Sequence, residues 1–147
     1  MNSWSKTSHA RLATCHEELI IIFDAVLQIH DCTILCGHRN KADQNAAFAS
    51  GASQKQWPDG NHNKLPSMAV DAQPYIPDIK LDGNNARHLK YFYCFAGIVI
   101  ATATMLYNYG EIKHLLRWGG DWDSDRNMDD QNFNDLYHFE LIEPPPS

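Results

Sequence analysis

The stretch 60-GNHNKLPSMAVDAQPY-75 carries His62 nine residues ahead of Asp71, with a proline-containing bend and a short apolar run between them. Residues 52–68 are rich in Ser, Asn, Gly and Pro, which marks a loop. "MAVDA" then reads as a short strand, in which Val70 and Asp71 must point to opposite faces. The run therefore predicts a strand that buries one face and offers a carboxylate on the other, beside a histidine-bearing loop.

Working outward, "CTILCGHR" reads as a second strand, Thr33 to Gly37, ending in His38 and Arg39. Asn40 can cap a helix, with Asp43 three residues later in a capping-box-like pattern and Gly51 after Ser50 as its stop. From about Ala10 to His30, Leu12, Cys15, Leu19, Ile22, Phe23, Val26 and Ile29 recur at spacings of three and four. This is the pattern of one amphipathic helix, with Arg11, Glu17, Glu18 and Asp24 on its polar side. Downstream, "PYIPDIKLDGNN" is turn-rich and leads to an apolar helix from about Arg87 to Asn108. "IKHLLRWGGDW" is a strand with a Gly-Gly turn, "WDSDRNMDDQNFND" an acidic loop, and "LYHFELI" a last strand before "PPP". The order helix, strand, helix, strand, helix, strand, strand predicts an α+β fold: a small, mostly antiparallel sheet packed by helices, with polar residues gathered in loops at one end. With no internal repeat or linker, residues 1–147 are expected to form a single domain.

Composition excludes several function classes. The net charge is −6 and no Lys/Arg run exceeds two residues, so the electrostatic footprint of a nucleic-acid binder is missing. Cys15, Cys32, Cys36 and Cys94 show no CxxC spacing and are expected as free, mostly buried thiols in a reducing compartment. The N-terminus has no apolar segment following basic residues, so no secretory signal is read and synthesis in the cytoplasm is expected. "YFYCFAGIVIATATMLY", Tyr91 to Tyr107, is long enough to raise a membrane question, but its three Tyr and two Thr predict a core helix rather than a span.

The chemistry-bearing candidates are His62, Asp71 and a second histidine, His138, in "DLYHFEL". Zn²⁺ takes imidazole nitrogen and carboxylate oxygen, and catalytic sites use three protein ligands so that one position stays open. Asp135, three residues before His138 and in the turn ahead of its strand, sits where a general base beside such a metal would be needed. Arg39, at the exposed end of its strand, can hold a carbonyl or carboxylate with its fixed fork of donors. Two histidines and one aspartate spread over residues 62–138 do not establish a site by themselves, since a loop histidine is ordinarily just solvated.

Three separated blocks add to this: "ILCGHRNKADQNAAFASGASQKQWPDGNHNKLPSMAVDAQPY", "RWGGDWDSD" and "DQNFNDLYHFEL". Together they resemble the phage-type peptidases of the M15 metallopeptidase family, zinc L-alanyl-D-glutamate and D,D-peptidases that cut peptidoglycan stem peptides. The resemblance runs from about Leu12 to Glu143. It implies the Hedgehog/DD-peptidase-like fold, one Zn²⁺ per chain on His62, Asp71 and His138, Asp135 as catalytic base and Arg39 on the substrate carbonyl. Many members place six residues between the first His and the Asp; here eight intervene, "NKLPSMAV". It further implies an endolysin-like monomer held in the host cytoplasm until a holin or similar partner gives access to the periplasm and cell wall. An endopeptidase for the L-Ala–D-Glu bond is the expected activity, with D,D-carboxypeptidase and a non-catalytic zinc-containing virion or binding protein as alternatives.

Further expectations are local. His38, Trp118 and Trp122 are candidate substrate contacts, Trp118 and Trp122 as aromatic walls around Gly119 and Gly120. Glu140 should share a strand face with His138 and orient it or pair with a base. Asp123, Asp125, Asn127 and Asp129 alternate as in the first part of a calcium loop, but Met128 and Asn134 replace its Gly and Glu, so a solvated acidic loop is expected rather than a Ca²⁺ site.

Overall fold

A computed structural model describes residues 1–147. The strand predicted around Asp71 is β2, Ala69–Pro74, one of the two central strands of a four-stranded sheet. Its neighbours are β1, Cys32–Cys36, and β4, His138–Ile142, and β3, Leu115–Trp118, completes the order β1-β2-β4-β3. All three pairings are antiparallel. The register sets Asp71 opposite His138, and an irregularity in β1 between Ile34 and Cys36 sets Cys36 against Asp71 on the other side. Directly opposed residues have Cβ atoms about 4.5–5.5 Å apart, so the pairing alone brings a carboxylate and an imidazole within reach.

The period-two alternation divides the sheet by chemistry. Val70, Ala72, Phe139, Leu141 and Trp118 are buried on the core face, while Asp71, His138, Glu140 and Arg117 share the other. The core face is covered by α2, Glu17–Ile29, and α4, Leu89–Asn108, which pack on one another. Phe139 makes edge-to-face contacts with Phe23 of α2 at 5.6 Å and Phe95 of α4 at 6.1 Å between ring centroids. Each such pair contributes about 0.5–1.5 kcal/mol beyond its buried area. The strand that carries His138 is thus pinned from behind by its own neighbour in sequence. By length and composition α4 could cross a membrane, but Phe92, Phe95, Ala96, Val99 and Ala103 are buried in this core.

The single N-terminal helix predicted from Ala10 to His30 is two helices. α1, Lys6–Leu12, packs against β1, and the chain leaves the helix before α2 begins at Glu17. The break is made by backbone pairing with a distant segment: Ser67 N–H donates to the Thr14 carbonyl at 2.9 Å, and His16 N–H to the Ser67 carbonyl at 2.8 Å. His16 then caps α2, its ring Nδ1 accepting from Glu18 N–H at 3.0 Å. Leu12 before the break and Cys15 within it are both buried, so helical periodicity could not register it.

Glu18, expected on a polar face, is buried. Its carboxylate accepts from the backbone N–H groups of Lys113 and His114 and from the His114 ring, clamping the segment before β3 to the start of α2. Glu18→Ala removes the acceptor of two backbone donors and of the His114 ring, and we expect a loss of roughly 1–3 kcal/mol in urea unfolding. An unchanged midpoint would contradict this clamp.

The shorter predicted elements stand close to their expected bounds. α3, Lys41–Ala49, is capped by Asn40, whose side chain accepts from Asp43 N–H at 2.9 Å, and Gly51 takes φ +81° just beyond its end. The four cysteines are free, and Cys94 is exposed.

Candidate active site

Asp71 and His138 come from adjacent strands, and His62 reaches them from a short 3-10 turn, Asn61–Asn63, in the loop before β2. His62 Nε2 lies 3.1 Å from Asp71 Oδ1 and 3.2 Å from His138 Nδ1, and His138 Nδ1 lies 3.3 Å from Asp71 Oδ1. Both imidazoles are fixed from behind. His62 Nδ1 donates to the Gly37 carbonyl at 2.7 Å, and His138 Nε2 to Glu140 Oε1 at 2.7 Å. A carbonyl and a carboxylate can only accept, so each bond places the ring proton on the outer nitrogen and leaves a lone pair facing the other histidine.

Two lone pairs and a carboxylate oxygen meeting at one point demand a cation. Without a metal that cation is a proton: burial pushes the pKa of His62 down, but the Asp71 charge outweighs it and holds the imidazole up to about 10. Burial likewise pushes the Asp71 carboxyl up, while the two histidines hold it well below the usual carboxylate range. The donor set also fits a metal. Four ligands at the 2.0–2.1 Å of a tetrahedral zinc site lie about 3.3 Å from one another. The three edges observed here are close to that value.

The backing of the site explains a glycine. A Cβ on Gly37 would collide with the Arg11 carbonyl and the Thr14 hydroxyl, so only glycine lets this carbonyl reach His62. Arg39 follows two residues later. Its NH2 donates to Asp71 Oδ2 at 3.3 Å and its NH1 to Gln44 Oε1 at 3.1 Å, while Gln44 itself is buried and bonded to Ser53 and Lys55. Asp71 therefore turns one oxygen to the histidines and the other to Arg39.

Asp135 stands in the turn before β4. Its N–H donates to the Gly119 carbonyl at 2.9 Å and its carbonyl accepts from His138 N–H at 3.1 Å. A Cβ on Gly119 would strike the Asp135 carbonyl, so this glycine sets how close the turn lies. The Asp135 carboxylate has no side-chain partner, the Tyr137 backbone N–H being its one hydrogen-bonding neighbour, and it lines a cavity of about 560 Å³ shared with His62, His138, Arg39, Arg117 and Trp122. Burial first, then the Asp71 charge, raises its pKa to about 6. It does not belong to the cluster of candidate metal ligands.

A sequence profile of the phage L-alanyl-D-glutamate peptidases matches residues 2–142. The chain belongs to that family. No curated protein matches its sequence. Among solved structures, the peptidase is similar to the L-Ala D-Glu endopeptidase ChiX of Serratia marcescens, at 20% identity and a TM-score of 0.67, over 95% of this chain and 89% of that one. That likeness is one of fold. The α+β architecture expected from the sequence is the one observed, and family membership makes the protein a peptidase of the L-alanyl-D-glutamate bond in peptidoglycan.

Of the three residues expected against substrate, only Trp122 lines the peptidase's cavity, its ring 5.4 Å from that of His138. Trp118 is 2% exposed, with its indole N–H bonded to the Leu136 carbonyl and its ring against Tyr93, so it is a core residue and not a groove wall. Its place on the core face follows from the strand alternation, which "RWGGDW" read as a turn motif did not take into account. His38 faces a separate shallow cleft beside Lys6 and Arg11, with its ring centroid 6.5 Å from that of Trp57, and does not reach the cavity.

The acidic loop is solvated as expected, with Asp123, Asp125, Asn127 and Asp129 exposed, and it carries a cluster that the sequence did not show. The carboxylates that converge are Asp121, Asp123 and Asp125, one step earlier than the register begun at Asp123. Asp121 is buried, with Oδ2 accepting from Arg126 N–H at 2.9 Å and Oδ1 left without a partner. Asp125, Asn127 and Asp129 each donate their backbone N–H to the side chain two residues before. The loop is therefore a solvated chain of local turns around three clustered carboxylates.

Proposed function

We propose that His62, Asp71 and His138 hold one Zn²⁺, that Asp135 is the general base and acid, and that Arg39 stabilises the oxyanion during hydrolysis of the L-alanyl-D-glutamate bond. The observation that carries this reading is the triangle of two lone pairs and one carboxylate oxygen, each histidine locked in the ligating tautomer by a partner behind it. A Zn²⁺ held there supplies Lewis acidity, polarising the scissile carbonyl and lowering the pKa of a water from 15.7 toward about 7.

The protein's own residues do the rest. Asp135, the cavity carboxylate with no side-chain partner, takes a proton from the attacking water and passes it to the nitrogen of D-glutamate as the amide bond breaks. Burial raises its pKa, to about 6 when no metal is bound, which moves the carboxyl toward the range where one group can both accept and donate a proton. A cation among the ligands offsets the Asp71 charge and lowers that value. Arg39, braced by Gln44 and Asp71, keeps further N–H donors for the carbonyl oxygen as negative charge builds on it. We read residues 1–147 as one catalytic domain of this kind.

Two experiments test the reading. Removing metal with a chelator should abolish peptidoglycan hydrolysis, and one equivalent of Zn²⁺ per chain should restore it; full activity in protein shown to be metal-free would overturn it. Arg39→Lys should lower kcat/KM by about 100-fold, because a compact ammonium cannot reproduce the planar fork that spans Gln44 and Asp71 with donors left for a carbonyl. A rate equal to the parent's would remove Arg39 from the oxyanion role.

A further inference from the structure

The cavity contains a cation to which the mechanism gives no task. Arg117, on β3, stands opposite Glu140 of β4, on the sheet face that carries His138. Its NH2 donates to Glu140 Oε2 at 2.8 Å, an oxygen that also accepts from Asn61 Nδ2 at 2.8 Å, while Glu140 Oε1 holds His138. The guanidinium carbon lies 5.6 Å from the centroid of the Trp122 ring. One ion pair and one cation–π contact thus hold the group beside the candidate metal-ligand cluster. Nε faces inward without a partner, and NH1 makes no hydrogen bond within the protein. With about a third of the side chain exposed, NH1 and the remaining N–H of NH2 form an end-on fork open to the cavity. That fork is the arrangement that pairs bidentately with a carboxylate.

The chemistry of the substrate supplies such a group. The amine of D-glutamate is in the scissile bond and one of its carboxyls carries the peptide onward, so the other remains a free carboxylate close to the leaving nitrogen. The cavity that must receive it is otherwise acidic, with Asp123, Asp130, Asp135 and Glu140 in its lining. A carboxylate entering it is repelled unless a cation meets it. Arg39 is paired with Asp71 and bonded to Gln44, its remaining donors are assigned to the carbonyl oxygen, and Lys55, the third cation of the lining, is an exposed loop residue.

We propose that Arg117 is a specificity-determining residue that binds the free carboxylate of the substrate's D-glutamate and sets a preference for carboxylate over carboxamide at that position. The inference rests on the reading of this cavity as the active site.

The test uses two synthetic peptides, L-Ala–γ-D-Glu–L-Lys with a free α-carboxylate and the same peptide with an α-carboxamide. Both are cleaved by the zinc-loaded parent, Arg117→Gln and Arg117→Lys proteins. The readout is the ratio of kcat/KM for acid over amide. The parent ratio should be about 10- to 100-fold, the value of a charge-assisted hydrogen bond. In Arg117→Gln it should collapse toward one, mainly through KM for the acid, and Arg117→Lys should recover part of it. If Arg117 only positions Glu140 and thereby His138, both peptides slow together and the ratio survives, which overturns the proposal, as does a parent ratio near one. A parent that cleaves neither peptide overturns the active-site reading and the inference with it.

Discussion

Asp135→Asn should lower kcat/KM on peptidoglycan by about 10²- to 10⁴-fold while metal content and unfolding midpoint stay those of the parent. The substitution keeps the shape of the side chain and the backbone bonds to Gly119 and His138, so the turn before β4 is undisturbed. What it removes is the ability to accept a proton. Asp135 lies outside the ligand cluster, and its loss therefore separates chemistry from metal binding. The parent's pH profile gives an independent check. Burial raises the Asp135 pKa to about 6 without a metal, and bound Zn²⁺ lowers it, so the acid limb of kcat/KM should titrate at or below about 6. Activity rises with pH through that limb as the carboxylate ionises, and the limb should vanish in the variant's residual rate. Parent-like activity in Asp135→Asn would end the general-base assignment.

His62→Ala has a different signature. It deletes one of the three proposed ligands and the bond to the Gly37 carbonyl, so zinc retention and hydrolysis should fall together. Two ligands remain, and losing a third from a three-ligand site should leave little metal after dialysis. Thermal unfolding reads this without any substrate. A ligand that binds only the folded state stabilises it by RT ln(1 + [L]/Kd), so Zn²⁺ should raise the parent's Tm by several degrees and leave the variant's nearly unmoved. A His62→Ala protein that keeps one zinc per chain would show that the metal is held elsewhere.

The parts of this account that were legible in the sequence are those encoded locally. Asp71 and His138 sit on short strands whose alternation with Val70 and Phe139 fixes their face, and the same rule placed Glu140 beside His138. Asn40 and Asp43 announce α3 because capping is a three-residue affair. The misread parts depend on contacts between distant segments. The break before α2 exists because Ser67 pairs with Thr14 and His16, and Glu18 is buried because the backbone at 113 and 114 descends onto it. Neither partner can be inferred from an amphipathic pattern that remains satisfied with or without them. Arg117 is the same case: "IKHLLRW" fixes its strand, but only the β3–β4 register brings it to Glu140 and the cavity.

The central claim is that this metal-ligand triangle and Asp135 hydrolyse the L-alanyl-D-glutamate bond. Mass spectrometry of purified peptidoglycan, digested in parallel with zinc-loaded parent and Asp135→Asn proteins, tests it most directly. The expected result is new amino termini on D-glutamate that appear only with the parent. Products lacking only a terminal D-alanine, equal cleavage by the variant, or no cleavage by a parent carrying one zinc per chain would contradict it.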